Sequence, residues 1–167
     1  MDTELKVIDN SKIDRRNKIL IFENLMSKIP GAFIGDNAQC PLKHTFVDGA
    51  YIREIFMPKG MLITSKIHKI KHPYFVLKGD VSVMTENGPV RIKAPYYGVT
   101  PVGTKRLLYT HEDTVWITVH VTKETNLKKI EKEIIAKNFK EMSIDSLEDE
   151  AIKLLEFVKQ EDKKCLG

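Results

Sequence analysis

The chain has 167 residues, of which 42% are hydrophobic, and carries a formal net charge of +4. This length and apolar content are enough for one buried core, so we expect a single domain with short appendages. No apolar run approaches the roughly 18 residues of a membrane-spanning helix, and the first twenty residues, with Asp2, Glu4, Asp9 and Asp14, do not resemble a secretory signal, so we expect an intracellular protein with no membrane partner.

The positive charge lies in the middle of the chain, where residues 41–123 carry 12 basic and 6 acidic side chains. A nucleic-acid-binding protein would more often show a basic helix face or aromatic residues interleaved with arginine, and neither pattern occurs. The sequence therefore argues against nucleic acid as a partner. Cys40 and Cys165 lie far apart and lack any metal or redox spacing, which predicts two free thiols.

The N-terminal part of the chain predicts one amphipathic helix and a connecting loop. From Ser11 to Ile29, apolar residues recur at steps of three and four, and Pro30-Gly31 ends the pattern. Residues 31–49 are dense in glycine, proline, aspartate and asparagine, which predicts a loop with one short strand at 44–47. The apolar positions of the helix are Ile19, Phe22, Leu25, Met26 and Ile29.

Between residues 50 and 122 the pattern changes to short β-branched and aromatic runs separated by turn residues. Such evenly spaced strands, with no helical segment between them, predict a closed all-β sandwich or barrel, and a jelly roll fits best. The runs cover residues 51–56, 61–68, 72–77, 81–84, 90–92, 97–100, 105–109 and 114–121.

After residue 122 the helical period returns and predicts two C-terminal helices. The first carries Leu127, Ile130, Ile134 and Ile135 behind a cap at Thr125 or Asn126, and the second spans residues 146–158 behind Ser146. The predicted organisation is therefore an N-terminal helix and loop (1–49), a β core (50–122) and a helical extension (123–167).

The stretch from Gly60 to Gly79 contains Lys66, His68 and His72 at a characteristic spacing. It resembles the first signature of the cupin superfamily, which reads glycine, five residues, His-x-His, three residues, Glu, six residues, glycine. Lys66 and His72 stand at positions where the family has His and Glu. The second signature is represented by Pro101-Val102-Gly103, with Arg106 where the family has its third histidine and Thr110 where it has Asn.

The resemblance implies a mainly β jelly-roll (cupin) barrel, here with an N-terminal helix and two C-terminal helices. It also implies that Lys66, His68, His72 and Arg106 point into the barrel, and strand alternation places Lys66 and His68 on one face. Because a guanidinium has no lone pair to give and an ammonium must first lose its proton, we expect no metal cofactor. A weaker alternative is a divalent transition metal on His68 and His72 with a third donor such as His44, His111 or His120.

Two interpretations of these four residues remain open on the sequence. They form a cationic pocket for a carboxylate, a phosphate or an acidic sugar, because arginine supplies a bidentate fork and lysine a point charge. Alternatively, a carboxylate of the chain such as Glu54 neutralises Lys66 and Arg106, and both histidines are hydrogen-bonded core groups.

Residues 50–122 further resemble cupin-type proteins of tailed bacteriophages and prophages, through residues 52–58, 93–98, 103–106 and 111–116. This resemblance implies a non-enzymatic homo-oligomeric module, a structural or decoration protein of the virion, present in the host cytoplasm during assembly and then in the particle. Its expected partners are copies of itself and other virion proteins, because three apolar helix stripes exceed what one small barrel covers. The alternative is a metal- or anion-dependent cupin enzyme of the isomerase or dioxygenase type, acting on a small anionic substrate.

Overall fold

The computed structural model describes residues 10–32 and 37–142, with side chains from Arg15 onward. The second predicted C-terminal helix (146–158) and Cys165 lie outside these ranges. Cys40 is a buried free thiol, as predicted. No helix in the described ranges is long and apolar enough to cross a membrane.

The described residues form a jelly roll of two antiparallel sheets, which confirms the predicted fold class. One sheet has five strands in the order β1-β2-β10-β5-β8, the other has four in the order β3-β9-β6-β7, and β4 pairs separately with β11. The elements are α1 (Asn10–Met26), β1 (Leu42–Val47), β2 (Ala50–Met57), β3 (Leu62–Thr64), β4 (Ile67–His68), β5 (His72–Lys78), β6 (Asp80–Thr85), β7 (Gly88–Lys93), β8 (Tyr96–Thr100), β9 (Leu107–Thr110), β10 (Thr114–Val121), α2 (Leu127–Ile134) and β11 (Ile135–Ala136).

Strict alternation along the central strands decides which residues enter the core. On β10, the four residues Thr114, Trp116, Thr118 and His120 are buried, while the residues between them face outward and are more exposed. On β5 the same rule buries His72, Tyr74 and Val76. The main apolar cluster lies between the two sheets and comprises Met57, Tyr74, Val76, Val81, Val83, Ile92, Leu108 and Trp116.

Helix α1 packs on the four-stranded sheet and is held there by ion pairs as well as by apolar contact. Ile19 is buried, Arg16 pairs with Glu86 on the β6–β7 turn at 2.7 Å, and Glu23 pairs with Lys105 at 2.8 Å. The predicted apolar stripe is only partly buried, because the Leu25 side chain is more than half exposed.

Helix α2 covers one end of the barrel. Asn126 caps its N-terminus, as predicted, by accepting hydrogen bonds from the backbone N–H of Lys128 and Lys129. Ile130 and Ile134 are buried against Tyr51 of β2. Ile135 is not part of the helix, contrary to the predicted stripe, because the chain extends there and pairs with His68 in the β4–β11 ladder.

Two strands lie beyond the residues expected to form the β core. β1 begins at Leu42 and pairs along its whole length with β2, and β11 follows α2. The predicted strand at 44–47 is therefore the second half of β1. These strands join the segments before residue 50 and after residue 122 to the barrel.

Candidate functional site

Four basic side chains meet inside the jelly roll, and we call them the interior cluster: His68, His72, Arg106 and His120. His68 comes from β4, His72 opens β5, Arg106 immediately precedes β9, and His120 lies on β10. The ring centroids of His68 and His72 are 4.5 Å apart, and those of His72 and His120 are 4.3 Å apart. The three imidazoles are therefore in mutual contact at one level of the barrel.

All four residues of the interior cluster are almost completely withdrawn from solvent, with relative exposures of 2% to 7%. Three imidazole nitrogens, His68 Nδ1, His72 Nε2 and His120 Nδ1, are buried without a hydrogen-bond partner, and so is the hydroxyl of Thr118. Folded proteins pair nearly all of their buried polar atoms. Four unpaired atoms in one part of the barrel therefore make the interior cluster a candidate binding site. Across the described ranges, these four are the fully buried side-chain nitrogen and oxygen atoms that lack a partner.

Arg106 is the charged member of the interior cluster, and no carboxylate among the described residues pairs with it. Its Nη2 donates a hydrogen bond of 2.7 Å to Thr100 Oγ1. Its guanidinium lies 5.1 Å from the ring centroid of Tyr74 and 5.7 Å from that of Trp116, both at cation–π distance. These contacts hold the side chain in place, but none of them cancels its charge.

Electrostatics keep the imidazoles neutral. Burial lowers the pKa of His68 to about 2, and the positive charges around it, Arg106 and Arg53 among them, act in the same direction. Burial likewise lowers the pKa of His120 to about 4 and also lowers the pKa of His72. His72 Nδ1 lies 2.9 Å from the carbonyl oxygen of Ile70, which can only accept, so the neutral ring donates there and keeps its lone pair on Nε2.

Lys66 does not join the interior cluster, contrary to the expectation from strand alternation. β3 ends at Thr64 and β4 begins at Ile67, so residues 65 and 66 interrupt the strand and the alternation from Leu62 to His68 does not hold. The Lys66 side chain is about half exposed (52%) and pairs with Glu131 on α2. It therefore ties α2 to the barrel from outside.

Glu54 does not neutralise Arg106 either. It alternates on β2 with the inward-facing residues Tyr51 and Met57 and lies opposite Lys43 of β1 and Ile117 of β10, on the outer side of the sheet. The interpretation in which this carboxylate neutralises Arg106 is therefore wrong.

Of the three histidines proposed as a third metal donor, only His120 reaches His68 and His72. His44 bonds through Nδ1 to the Tyr51 hydroxyl at 2.7 Å, and His111 bonds to Ser82 on the four-stranded sheet at 2.8 Å. His120 was recognisable in the sequence, because it alternates with Trp116 and Thr118 on a strand whose aromatic residue faces the core.

The interior cluster does not fit a transition metal. Three neutral imidazoles are suitable metal ligands, but the guanidinium of Arg106 beside them opposes a divalent cation. Throughout residues 10–32 and 37–142, no group of three or more His, Cys, Asp or Glu side chains is placed to hold a metal ion.

No family model matches the sequence, and a search of the curated proteins finds no match. Solved structures do resemble the fold. The cupin domain of Cnp3 from Schizosaccharomyces pombe is 16% identical, with a TM-score of 0.45, over 62% of this chain and 78% of that one. KdgF from Halomonas sp. is 14% identical, with a TM-score of 0.46, over 56% and 89%.

A third similar structure is an RmlC-like cupin protein with a double-stranded β-helix fold from Methanocaldococcus jannaschii. It is 15% identical, with a TM-score of 0.43, over 55% of this chain and 88% of that one. At these identities the likeness concerns the fold alone. What the chain does must be argued from its own residues.

Proposed function

We propose that this chain is a non-enzymatic, homo-oligomeric cupin-fold module, and that its copies associate through the outer face of the five-stranded sheet. By the resemblance of residues 50–122 to bacteriophage proteins, we further propose a structural or decoration role in a virion, with assembly in the host cytoplasm and other virion proteins as additional partners. The observation that carries the proposal is the apolar composition of that sheet face.

The outward-facing positions of the sheet are apolar along three neighbouring strands. Leu77 on β5 is 56% exposed, and Tyr97 and Val99 on β8 are 74% and 52% exposed. Phe75 of β5 lies opposite Tyr97 of β8 and opposite Ile117 of β10, so these side chains form one continuous patch. We call it the bare sheet face. Its members on the three strands are Phe75, Leu77, Tyr97, Val99, Val115, Ile117, Val119 and Val121.

The size of the bare sheet face favours a protein partner. Five of these side chains are 37% to 86% exposed, so the patch presents on the order of 500 Å² of apolar surface. The largest apolar patch on a typical monomer is about 300–600 Å² and is often functional, and a standard protein interface buries about 800 Å² on each partner. The four-stranded sheet differs, since α1 packs on it.

A second copy of the chain is the occupant that the charges favour. The eight residues of the patch carry no charge, so two copies can face each other about a twofold axis without burying like charges. Glu54 of β2 borders the patch beside Ile117 and is the cross-strand neighbour of Lys43 on β1, so these two charged residues belong to the polar rim. The patch offers no charged side chain with which an acidic or basic partner could form an ion pair.

The closed barrel end supports a non-enzymatic module. Ile130 and Ile134 of α2 pack on Tyr51, and Lys66 and Lys69 bind α2 and the segment after it from outside. A substrate of metabolite size would reach the interior cluster only if α2 moved away.

The test is the mass in solution of variants that place charge on the bare sheet face. Leu77→Lys combined with Val99→Lys should reduce the oligomer to a smaller species in light scattering, because burying two lysines costs several kcal/mol. Val90→Lys is the matched control, since Val90 is 51% exposed on β7 of the other sheet. An oligomer that survives the double substitution would contradict the proposed surface. Mass spectrometry of purified virions tests the particle association separately.

A second candidate is an enzyme acting on a small anionic substrate. The observation that favours it is Arg106, a buried cation that pairs with no carboxylate in residues 10–32 and 37–142. Loss of turnover on replacing Arg106, with the oligomer unchanged, would support this candidate over the first.

A further inference from the structure

We propose that the interior cluster holds one small monovalent anion, a halide or a one- or two-carbon carboxylate, beside the guanidinium of Arg106. The proposal does not depend on how the chain assembles. In it the anion is a structural part of the folded barrel and replaces the metal that the donor set does not fit.

The charge of Arg106 is not compensated by any carboxylate in the described part of the chain. A guanidinium buried to 7% relative exposure requires a counter-charge, because a lone buried ion costs several kcal/mol. The cation–π contacts with Tyr74 and Trp116 are worth far less than that. Burial raises the pKa of the Tyr74 phenol, so Tyr74 stays neutral and does not serve as the counter-ion.

Arg106 has hydrogen-bond donors around it. The guanidinium has five N–H groups, and the bond to Thr100 uses one of them. Arg106 lies over the ring of Tyr74, and Thr118 stands directly opposite Tyr74 on β10 with its buried hydroxyl unpartnered. Two residues further along the same face, His120 Nδ1 also lacks a partner. The remaining guanidinium N–H groups and the Thr118 hydroxyl can donate to one anion.

A cation is excluded at this position. His68, His72 and His120 are within reach of one another, but Arg106 and Arg53 contribute positive potential at the same level. A site with a positive field and N–H and O–H donors selects an anion. Its enclosure limits the anion to a few atoms, because the surrounding side chains are at most 8% exposed.

The experiment measures thermal unfolding of the full chain in increasing sodium bromide or sodium formate, with ionic strength held constant by sodium gluconate, whose anion is too large for the site. A specific site raises the midpoint by about 4 °C at a tenfold excess over the dissociation constant, and the midpoint then keeps rising with the logarithm of the anion concentration. A shift with bromide alone assigns a halide, and a shift with formate alone assigns a carboxylate.

Arg106→Gln should abolish the anion-dependent shift, and Arg91→Gln should retain it, since Arg91 pairs with Asp80 on the surface of the other sheet. If Arg106→Gln does not fold, bromide soaked into crystals of the unaltered chain gives an independent answer. An anomalous peak within hydrogen-bonding distance of the Arg106 guanidinium supports the proposal. Absence of both the anion-dependent shift and the peak overturns it, and so does a shift that persists unchanged in Arg106→Gln.

Discussion

Lowering the pH from 7 to 5 should destabilise the folded chain strongly through the interior cluster. The pKa of His68 falls from 6.5 to about 2 on folding and that of His120 to about 4, so the folded state binds protons less readily than the unfolded state. The stability that these neutral rings contribute is complete above pH 6.5 and is lost as the pH falls toward their folded pKa values.

The magnitude follows from the linkage relation. Each histidine that stays neutral in the folded chain costs about 1.4 kcal/mol per pH unit below 6.5, so at pH 5 each contributes a loss of about 2 kcal/mol and the pair about 4. Burial shifts the pKa of His72 in the same direction and adds to this loss. The groups that face these rings, Arg53 and Arg106, are cations, so they favour the neutral rings as well. A loss of 4 kcal/mol is a large part of the 5–15 kcal/mol typical of a domain.

The assay is urea unfolding at pH 7, 6, 5.5 and 5, followed by the fluorescence of Trp116, the single tryptophan, which is stacked on Tyr74 in the core. The carboxylates with lowered pKa, among them Glu124 and Glu141, begin to lose their contribution to the free energy of unfolding only below about pH 4.5. They therefore do not affect the change measured between pH 7 and 5. His120→Gln should remove about 2 kcal/mol of the pH dependence, and His111→Gln, outside the cluster, should leave it intact. An unfolding free energy that changes by less than about 1 kcal/mol between pH 7 and 5 would refute the reasoning.

Three further predictions concern the α1 contact, one turn and the metal content. Glu23→Gln should lower stability by about 1–3 kcal/mol, because it removes the carboxylate that pairs with the buried Lys105. Lys129→Gln, which removes one partner of an exposed pair, should cost below about 0.5 kcal/mol. Equal urea midpoints for the two variants would contradict this. Gly79→Ala should destabilise the chain by at least about 2 kcal/mol more than Gly88→Ala. Both glycines have a φ above +100°, but only a Cβ at Gly79 would lie 2.3 Å from Thr114 Oγ1. Similar melting temperatures for the two variants would argue against the turn geometry. Elemental analysis of the purified chain should find no stoichiometric Zn, Fe, Mn or Ni, and about one metal per chain that disappears in His68→Ala would favour the metal-dependent alternative.

The fold could be predicted from the sequence because its signals are local. Runs of alternating apolar residues bounded by Gly79, Gly88 or Gly103 define strands and turns wherever they occur in the chain. The cap at Asn126 and the end of α1 near Pro30 are equally local. Both helices lie close to where these residues place them.

The site could be predicted only in part, because it depends on where strands are interrupted and how they are placed in space. His68, His72 and Arg106 meet as their spacing in the chain indicates, but Lys66 turns outward at a two-residue break between β3 and β4, which periodicity alone does not reveal. His120 joins them from a strand almost fifty residues away, through the β10–β5 ladder. The sequence predicts that the His120 side chain faces inward, whereas the residues that lie beside it depend on the order of the strands in the sheet.

The outer surface of the five-stranded sheet could likewise be predicted from the sequence only in part. Alternation assigns Phe75 and Leu77 to the face opposite the core, but only strand order places them beside Tyr97 and Ile117. Helix α1 packs on the other sheet, and among the described residues no helix packs on the outer face of this one. The proposed self-association therefore follows from the arrangement of the strands and not from any single segment.

Sedimentation equilibrium of the intact chain across a wide concentration range tests this self-association most directly. The proposal predicts a molar mass of at least twice the 19.2 kDa of one chain, falling toward that value when Leu77 and Val99 are both replaced by lysine. A mass of one chain at every concentration would contradict it.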